Sequence, residues 1–109
     1  MPVELGYFTL KVADVPRAKN FYGALFGWTF TPNGHIDNTK FHMGLAPGGP
    51  VEVPFAYFKV ADIEASVAQL IALGGTVRSR AVNPSGPNAV CSDDQSTVFT
   101  LWQPNPGFE

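Results

Sequence analysis

The sequence has few histidine and cysteine side chains, which are common in acid–base, nucleophilic and metal chemistry. It has two histidines, His35 and His42, and one cysteine, Cys91. A histidine needs a partner group to become catalytic at neutral pH, and His35 falls in a predicted loop, so we expect it to be solvent-exposed. No histidine or basic residue stands beside Cys91 to lower the pKa of its thiol, which favours a buried structural role. His42, in a predicted strand, is the better candidate for contact with a ligand.

The composition excludes several classes of partner. The formal net charge is -2, so we expect no binding to nucleic acid. No stretch approaches the ~18 apolar residues of a membrane-spanning helix, and the first ten residues lack the basic and apolar regions of a secretion signal. We therefore expect a cytoplasmic protein without membrane attachment. Because 45% of the residues are hydrophobic and only 15% are charged, an apolar cleft or interface is favoured, and we expect a homodimer.

An internal repeat organises the chain. Residues 11–15 read KVADV and residues 59–63 read KVADI, at an offset of 48 residues. The same offset places Tyr7 on Phe55 and Gly27 on Gly75. Each unit of such a repeat needs its twin in order to bury its apolar face. We therefore predict a single domain over residues 1–109, with module one at about residues 5–53 and module two at about residues 54–104.

Each module is predicted to begin with a strand and a helix. Residues 6–12 and 55–60 alternate apolar and polar side chains, which is typical of strands with two unlike faces. Asp14 and Asp62 are the predicted N-caps of the two helices. Gly27 is predicted to end the first helix, and Gly74 and Gly75 to end the second.

Short strands complete the two modules. In module one we predict strands at 28–31 and 40–45, and residues 51–53 form either a short strand or an extended connector. In module two we predict strands at 76–82, 89–92 and 97–103, a loop at 83–87, and an irregular tail from residue 104. The predicted fold class is α+β. Two tandem βαβββ modules, the first one shortened, form a mixed, curved sheet with a concave cleft and with helices on the outer face.

With this order of elements, the sequence resembles the vicinal oxygen chelate superfamily, which includes glyoxalase I, bleomycin-resistance proteins and extradiol dioxygenases. The motifs that carry the resemblance are Val12-Ala13-Asp14 before Phe21-Tyr22 and Leu25-Phe26-Gly27-Trp28, Val60-Ala61-Asp62 before Leu73-Gly74-Gly75, and the ending Val98-Phe99-Thr100-Leu101-Trp102-Gln103-Pro104. The chain departs from the family between residues 30 and 54, where one of the usual three strands is lost or stunted. The resemblance is specific for the fold and says little about the reaction.

The resemblance implies four metal-ligand positions, two in each module. The opening strands place Tyr7 and Phe55 at two of them, and the closing strand of module two places Thr100 at a third. The fourth position is hard to assign, with His42 and Glu52 as the nearby candidates. Zinc and most transition metals need several nitrogen, oxygen or sulfur ligands, so the usual metal site is expected to be absent and no cofactor is expected.

Strand parity predicts an aromatic cleft instead. The opposite face is expected to lie under the helices and includes Phe8, Leu10, Phe58, Phe99 and Leu101. The residues predicted to line the cleft or contact a ligand are Tyr7, Thr9, His42, Phe55, Tyr57, Val98, Thr100 and Trp102. Aromatic rings with a few oriented hydroxyl groups are typical of a small-molecule pocket. The rings alternatively fill the cleft themselves or pack in a subunit interface.

Three functions fit this sequence. The leading interpretation is a metal-independent small-molecule binding protein of the glyoxalase/bleomycin-resistance type, which holds an apolar or aromatic ligand and needs no catalytic group. The first alternative is a metal-dependent lyase, isomerase or dioxygenase with noncanonical ligands such as His42, Glu52 or His35. The second alternative is a protein interaction subunit with a filled cleft. Whether the protein is an enzyme stays open at this point.

Overall fold

The computed structural model describes residues 2–53 and 56–109. Within these residues there are two helices and six strands, and each helix follows the opening strand of its module, as the repeat predicts. The elements are β1 (Phe8–Val12), α1 (Val15–Phe26), β2 (Met43–Pro47), β3 (Tyr57–Lys59), α2 (Ile63–Ala72), β4 (Thr76–Asn83), β5 (Gly86–Ser92) and β6 (Val98–Trp102). In the part of the chain that is described, neither helix is long and apolar enough to cross a membrane.

Both helices begin at the predicted aspartates. The Asp14 side chain accepts a hydrogen bond from the Arg17 N–H at 3.1 Å, and the Asp62 side chain does the same for the Ala65 N–H at 3.1 Å. Each aspartate thereby satisfies an N–H group that has no partner inside the helix. Helix α1 ends at Gly27, whose φ of 70° is a left-handed conformation that glycine adopts without strain. The caps therefore fix both ends of α1 and the start of α2.

The described residues form a two-stranded sheet and a four-stranded sheet, and each sheet contains one parallel pair of strands. The first sheet pairs β1 with β2 in parallel, and the second has the order β3-β6-β5-β4 with β3 parallel to β6 and the other pairs antiparallel. In both modules, therefore, the opening strand lies parallel to the closing strand. The predicted α+β class with doubled modules is confirmed.

Module one retains only remnants of its two middle strands. The sequence predicted a strand at 28–31, but the structure has isolated bridges, Phe30 to Ile36 and His35 to Gly44. Proline, asparagine and glycine at 32–34 turn the chain before a longer ladder can form. The predicted strand at 40–45 begins later, at Met43, and residues 51–53 form a connector without a ladder. The first module is thus the shortened one, as predicted.

One hydrophobic core joins the two modules. Helix α1 contributes Ala18, Phe21 and Tyr22, and α2 contributes Ile63, Val67 and Leu70. The sheets contribute the alternate residues that face the helices, namely Leu10, Val12, Leu45, Ala89, Cys91, Phe99 and Leu101. Cys91 is fully buried, and burial raises the pKa of its thiol to about 11. The predicted burial of Cys91 is therefore confirmed.

A buried aspartate joins the turn at residues 93–97 to the first helix. One carboxylate oxygen of Asp93 accepts a hydrogen bond from the Tyr22 hydroxyl at 2.8 Å. The other accepts from the backbone N–H groups of Gln95 at 2.8 Å and Thr97 at 3.0 Å. Burial raises the pKa of Asp93, and burial together with the nearby Asp93 charge raises the pKa of Tyr22. This network ties module two to module one across the core.

The Thr97 hydroxyl adds a second connection between the modules. It donates to the Lys11 carbonyl at 3.0 Å and accepts from the Val51 N–H at 3.2 Å. The Val51 carbonyl in turn accepts from the Val98 N–H at 2.7 Å. The connector between the modules is therefore held between β1 and β6, at the boundary where the two sheets meet.

Candidate functional site

The face of the sheets opposite the helices, which we call the open face, is defined by the strand registers. Thr9 pairs with Gly44 in the first sheet, and Tyr57 pairs with Thr100 in the second. Trp102 lies on the same face as Thr100, two residues further along β6. The neighbours of Thr100 in β6, Phe99 and Leu101, belong to the core beneath the helices. The predicted division between the two faces of β6 is therefore confirmed.

The open face of module two contains a pocket, which we call the aromatic pocket. It has a volume of about 350 Å³. Its walls are aromatic side chains and its other lining groups are small and polar. The residues that line it are Tyr57, Asn83, Ser85, Asn88, Trp102 and Phe108. Two of these, Tyr57 and Trp102, are predicted ligand-binding residues, and the structure brings them together.

The C-terminal tail builds one wall of the aromatic pocket. It has no regular secondary structure, as predicted, but hydrogen bonds hold it against the turn between β4 and β5. The Asn105 N–H donates to the Ser85 carbonyl at 2.8 Å, and its side-chain amide donates to the Pro84 carbonyl at 3.1 Å. The Phe108 N–H donates back to the Asn105 carbonyl at 3.0 Å. These contacts place the Phe108 ring beside the pocket.

The β4–β5 turn is shaped to receive this tail. Asn83 pairs directly with Gly86, so the predicted loop at 83–87 is a two-residue turn within a long hairpin. Gly86 has a φ of 132°, and a Cβ atom there would collide with the Gln103 carbonyl. The Trp102 indole N–H donates to the Ser85 carbonyl at 3.1 Å, which fixes the ring at the edge of the pocket. Glycine is therefore required at residue 86 for the tail to close over the turn.

The open face of module one carries a different arrangement. The Tyr7 hydroxyl lies 2.7 Å from Nδ1 of His35, in a hydrogen bond between two exposed side chains. The Tyr7 ring reaches across Gly44, where a Cβ atom would collide with the Tyr7 hydroxyl. His35 is exposed, as predicted, yet it has a partner that the sequence did not reveal. The pairing follows from the His35–Gly44 bridge, which no local sequence pattern indicates.

The registers also locate the fourth implied metal position. Thr9 pairs with Gly44 as Tyr57 pairs with Thr100, so Gly44 is the first-module counterpart of Thr100. Neither His42 nor Glu52 occupies it. A glycine has no side-chain donor, and the Tyr7 hydroxyl fills the space in front of Gly44.

These residues do not fit a divalent metal ion. The four implied positions hold tyrosine, glycine, phenylalanine and threonine. Across residues 2–53 and 56–109, no three histidine, cysteine, aspartate or glutamate side chains come together as a metal site would require. The side chains of His42 and Glu52 are exposed and lie outside the aromatic pocket. We therefore derive no chemistry through a metal.

The remaining predicted site residues are dispersed. Thr100 lies between Val98 and Trp102 on the open face but is only 1% exposed, and its hydroxyl has no hydrogen-bond partner among the described residues. Thr9 lines a separate apolar pocket of about 190 Å³ at the boundary of the sheets, together with Val98. Phe55 lies outside the described residues. The roles assigned to these residues and to Tyr7 and His42 stay predictions.

Three pocket residues, Asn83, Ser85 and Asn88, were missed because they were assigned to a loop or left without a role. Strand parity places Asn88 on the open face, since it pairs with Trp102 in β5–β6. The sequence did not predict Phe108 as a pocket residue because a proline-rich tail has no predictable fixed position.

A larger depression of about 450 Å³ lies on the helix side of the sheets. It is lined by Trp28, Met43 and Phe58 among others, and it contains none of the predicted site residues.

Comparison with known proteins places the chain in a family. Residues 7–102 match the model of a glyoxalase-like domain. No curated protein matches the chain in sequence. Among solved structures, TnmS3, an antibiotic binding protein from a Streptomyces species, superposes with a TM-score of 0.74 at 21% identity, covering 95% of this chain and 98% of that one.

Two further solved structures share the fold. A mutant of the fosfomycin resistance protein FosX from Listeria monocytogenes, complexed with Mn(II) and a dihydroxypropylphosphonic acid, has a TM-score of 0.77 at 14% identity, covering 97% of this chain and 94% of that one. A glyoxalase/bleomycin resistance protein/dioxygenase family enzyme from Burkholderia phytofirmans has a TM-score of 0.74 at 17% identity, covering 94% of this chain and 100% of that one. With the family model spanning both modules, the chain belongs to the glyoxalase-like domain family.

Proposed function

We propose that the protein binds a small, flat, largely aromatic molecule in the aromatic pocket, without a metal ion. The observation that carries the proposal is the convergence of three rings from three parts of the chain. Tyr57 comes from β3, Trp102 from the end of β6 and Phe108 from the tail. Tyr57 is 63% exposed and Phe108 is 50% exposed, so their faces are available to a ligand.

The dimensions of the pocket support a small ligand. A volume of about 350 Å³ is near the lower end of the range for small-molecule sites, roughly 300–1,000 Å³. Rings contribute apolar area and stacking surfaces, and the amides and hydroxyl from the β4–β5 hairpin contribute directional hydrogen bonds. Such a site retains a molecule by burial and stacking and requires no reacting group. TnmS3, an antibiotic binding protein, shares this fold, which supports the binding of a small molecule as the function.

The side chains at the four implied metal positions support ligand binding without a metal ion. The positions that the family resemblance implies as metal ligands hold Tyr7, Gly44, Phe55 and Thr100. Glycine and phenylalanine have no donor atom, and a neutral tyrosine or threonine hydroxyl is a weak ligand for zinc. The proposed ligand is therefore held by the rings and amides of the pocket alone.

Calorimetric titration with 2-naphthol, a bicyclic aromatic probe, tests the proposal. We expect wild-type protein to bind, and Tyr57→Ala and Phe108→Ala each to weaken binding by roughly 1–3 kcal/mol, the value of one ring's buried apolar contact. Both side chains are at least half exposed and outside the core, so the variants are expected to fold. Val82→Ala is the matched control, because Val82 is 83% exposed in the same hairpin and does not line the pocket. Absence of binding, or equal affinity in all the variants, would overturn the proposal.

A further inference from the structure

Asn88 lies at the floor of the aromatic pocket in an unusual environment. It pairs across the sheet with Trp102 on one side and with Ala81 on the other. Only 9% of Asn88 is exposed, yet the residue lines the pocket. Asn88 is therefore a buried polar group whose accessible part faces the cavity.

The carboxamide of Asn88 lacks the partners that neighbouring polar groups have. The Trp102 indole is bonded to the Ser85 carbonyl, and the Asn105 amide is bonded to the Pro84 carbonyl, each at 3.1 Å. No hydrogen bond joins the Asn88 side chain to any residue in 2–53 or 56–109. Neither Oδ1 nor Nδ2 of Asn88 is among the fully buried side-chain atoms that lack a partner in the described residues, so both atoms are accessible from the pocket. In Asn88, two N–H donors and one carbonyl acceptor are thus available to whatever occupies the pocket.

The geometry points to Asn88 as the residue that selects the ligand, and we propose that it recognises a cyclic amide, or lactam, on a planar ring. The inference rests on the proposed function and specifies the class of molecule bound. A primary carboxamide presents a donor and an acceptor side by side, and a lactam edge presents the complementary acceptor and donor. Two parallel hydrogen bonds form while the rest of the ring contacts Trp102, Tyr57 and Phe108.

Burial makes this recognition selective. A site built to hydrogen-bond a polar group rejects an analogue that lacks it, because the buried groups of the protein are then left without partners. An analogue with only an acceptor leaves the carbonyl of Asn88 unpaired. A hydrocarbon ring leaves both the carbonyl and the amide unpaired. Asn88 thus determines the preference for a lactam over its analogues, and the aromatic walls determine the affinity for flat rings in general.

The test compares three probes of similar size by calorimetric titration. 2-Quinolone carries the lactam edge, N-methyl-2-quinolone lacks its donor, and 2-naphthol replaces the lactam edge with a single hydroxyl group. We expect wild-type protein to bind 2-quinolone at least about tenfold more tightly than its N-methyl derivative. In Asn88→Leu this preference should vanish, while 2-naphthol still binds through the aromatic walls of the pocket. The control Asn20→Leu, at an exposed position on α1, should keep the wild-type preference.

The outcomes separate this inference from the proposed function. If 2-naphthol binds but the two quinolones bind equally to wild-type protein, the inference is overturned and the proposed function stands. The same holds if Asn88→Leu keeps the preference for the lactam. If none of the three probes binds, both are overturned. Because Asn88 makes no internal hydrogen bond among the described residues, Asn88→Leu is expected to melt at or above the wild-type temperature. The comparison of the two quinolones on wild-type protein does not depend on the folding of any variant.

Discussion

The buried carboxylate of Asp93 provides the sharpest test of how the two modules are held together. Its replacement by alanine removes one hydrogen bond from the Tyr22 hydroxyl and two from backbone N–H groups. Tyr22 and Thr97 are both fully buried, so water cannot replace the lost acceptor for either of them. The two orphaned donors cost about 1–3 kcal/mol each, which gives roughly 2–6 kcal/mol for Asp93→Ala.

Asp93→Asn separates the shape of the side chain from its charge. The amide oxygen still accepts from the Gln95 and Thr97 N–H groups, and the amide nitrogen donates to the Tyr22 oxygen. Only the tyrosine hydrogen then loses its partner, so the expected cost is smaller, about 1–2 kcal/mol. Domains of this size are stable by roughly 5–15 kcal/mol, so the alanine variant is expected to approach unfolding while the asparagine variant stays folded.

The pH dependence follows from the raised pKa of Asp93, whose main cause is burial. A carboxyl group with a raised pKa binds its proton more tightly in the folded state than in the unfolded state. Its contribution to stability is therefore fully present below the ordinary aspartate pKa, about 3.9, and is lost as the pH rises through the folded-state pKa. The free energy of unfolding of wild type relative to Asp93→Asn should accordingly be largest in acid and should decrease toward neutral pH.

Urea denaturation of the two variants and wild type, from about pH 3.5, just below the ordinary aspartate pKa, up to about pH 7.5, measures both effects. An Asp93→Ala variant as stable as wild type would show that the network does not join the modules. A wild-type advantage over Asp93→Asn that is constant, or that grows as the pH rises, would contradict the burial argument.

Three further predictions concern the caps, the open face and the assembly. Asp14→Ala and Asp62→Ala should each lower the free energy of unfolding by ~1 kcal/mol, since each removes an N-cap, and should leave the affinity for 2-naphthol unchanged; lost binding with intact stability would contradict the capping role. Thr100→Val should raise stability by about 1 kcal/mol, because it removes a buried hydroxyl without a partner among the described residues; denaturation measures this, and a lower stability would indicate a bond that the hydroxyl makes. The protein should sediment as a homodimer at micromolar concentration, since Leu5 and Phe41 are exposed around an apolar groove; a monomer would contradict this prediction.

Local signals predicted the parts of the fold that local physics controls. The N-cap aspartates, the glycine that ends α1 and the alternation in β1 and β6 depend on residues near one another in sequence, and all of them are confirmed. The β4–β5 hairpin was predicted less well. Asn83, Pro84 and Gly86 disfavour strands on average, but the tail and the cross-strand pairs extend the ladder to a two-residue turn.

The candidate site depends on tertiary contacts that no local pattern encodes. Tyr57 and Trp102 were placed on one face by parity, and the structure brings them into one pocket. Phe108 joins them only because the tail folds back through Asn105, and no periodicity predicts that contact. The counterpart of Thr100 in module one could not be predicted from the repeat, because module one is shorter and the offset of 48 residues no longer applies there. Gly44 is assigned as that counterpart by the register of β1 and β2.

The metal dependence of ligand binding distinguishes a metal-independent binding protein from a metal-dependent enzyme. Purified protein is expected to contain no stoichiometric divalent metal. The Kd for 2-naphthol should be the same in EDTA and in excess Zn²⁺ or Mn²⁺, and neither ion should raise the melting temperature, as a tightly bound ion would by mass action. Metal near one ion per chain, removed by His42→Ala, together with binding that requires the ion, would contradict the account and favour a metal-dependent enzyme.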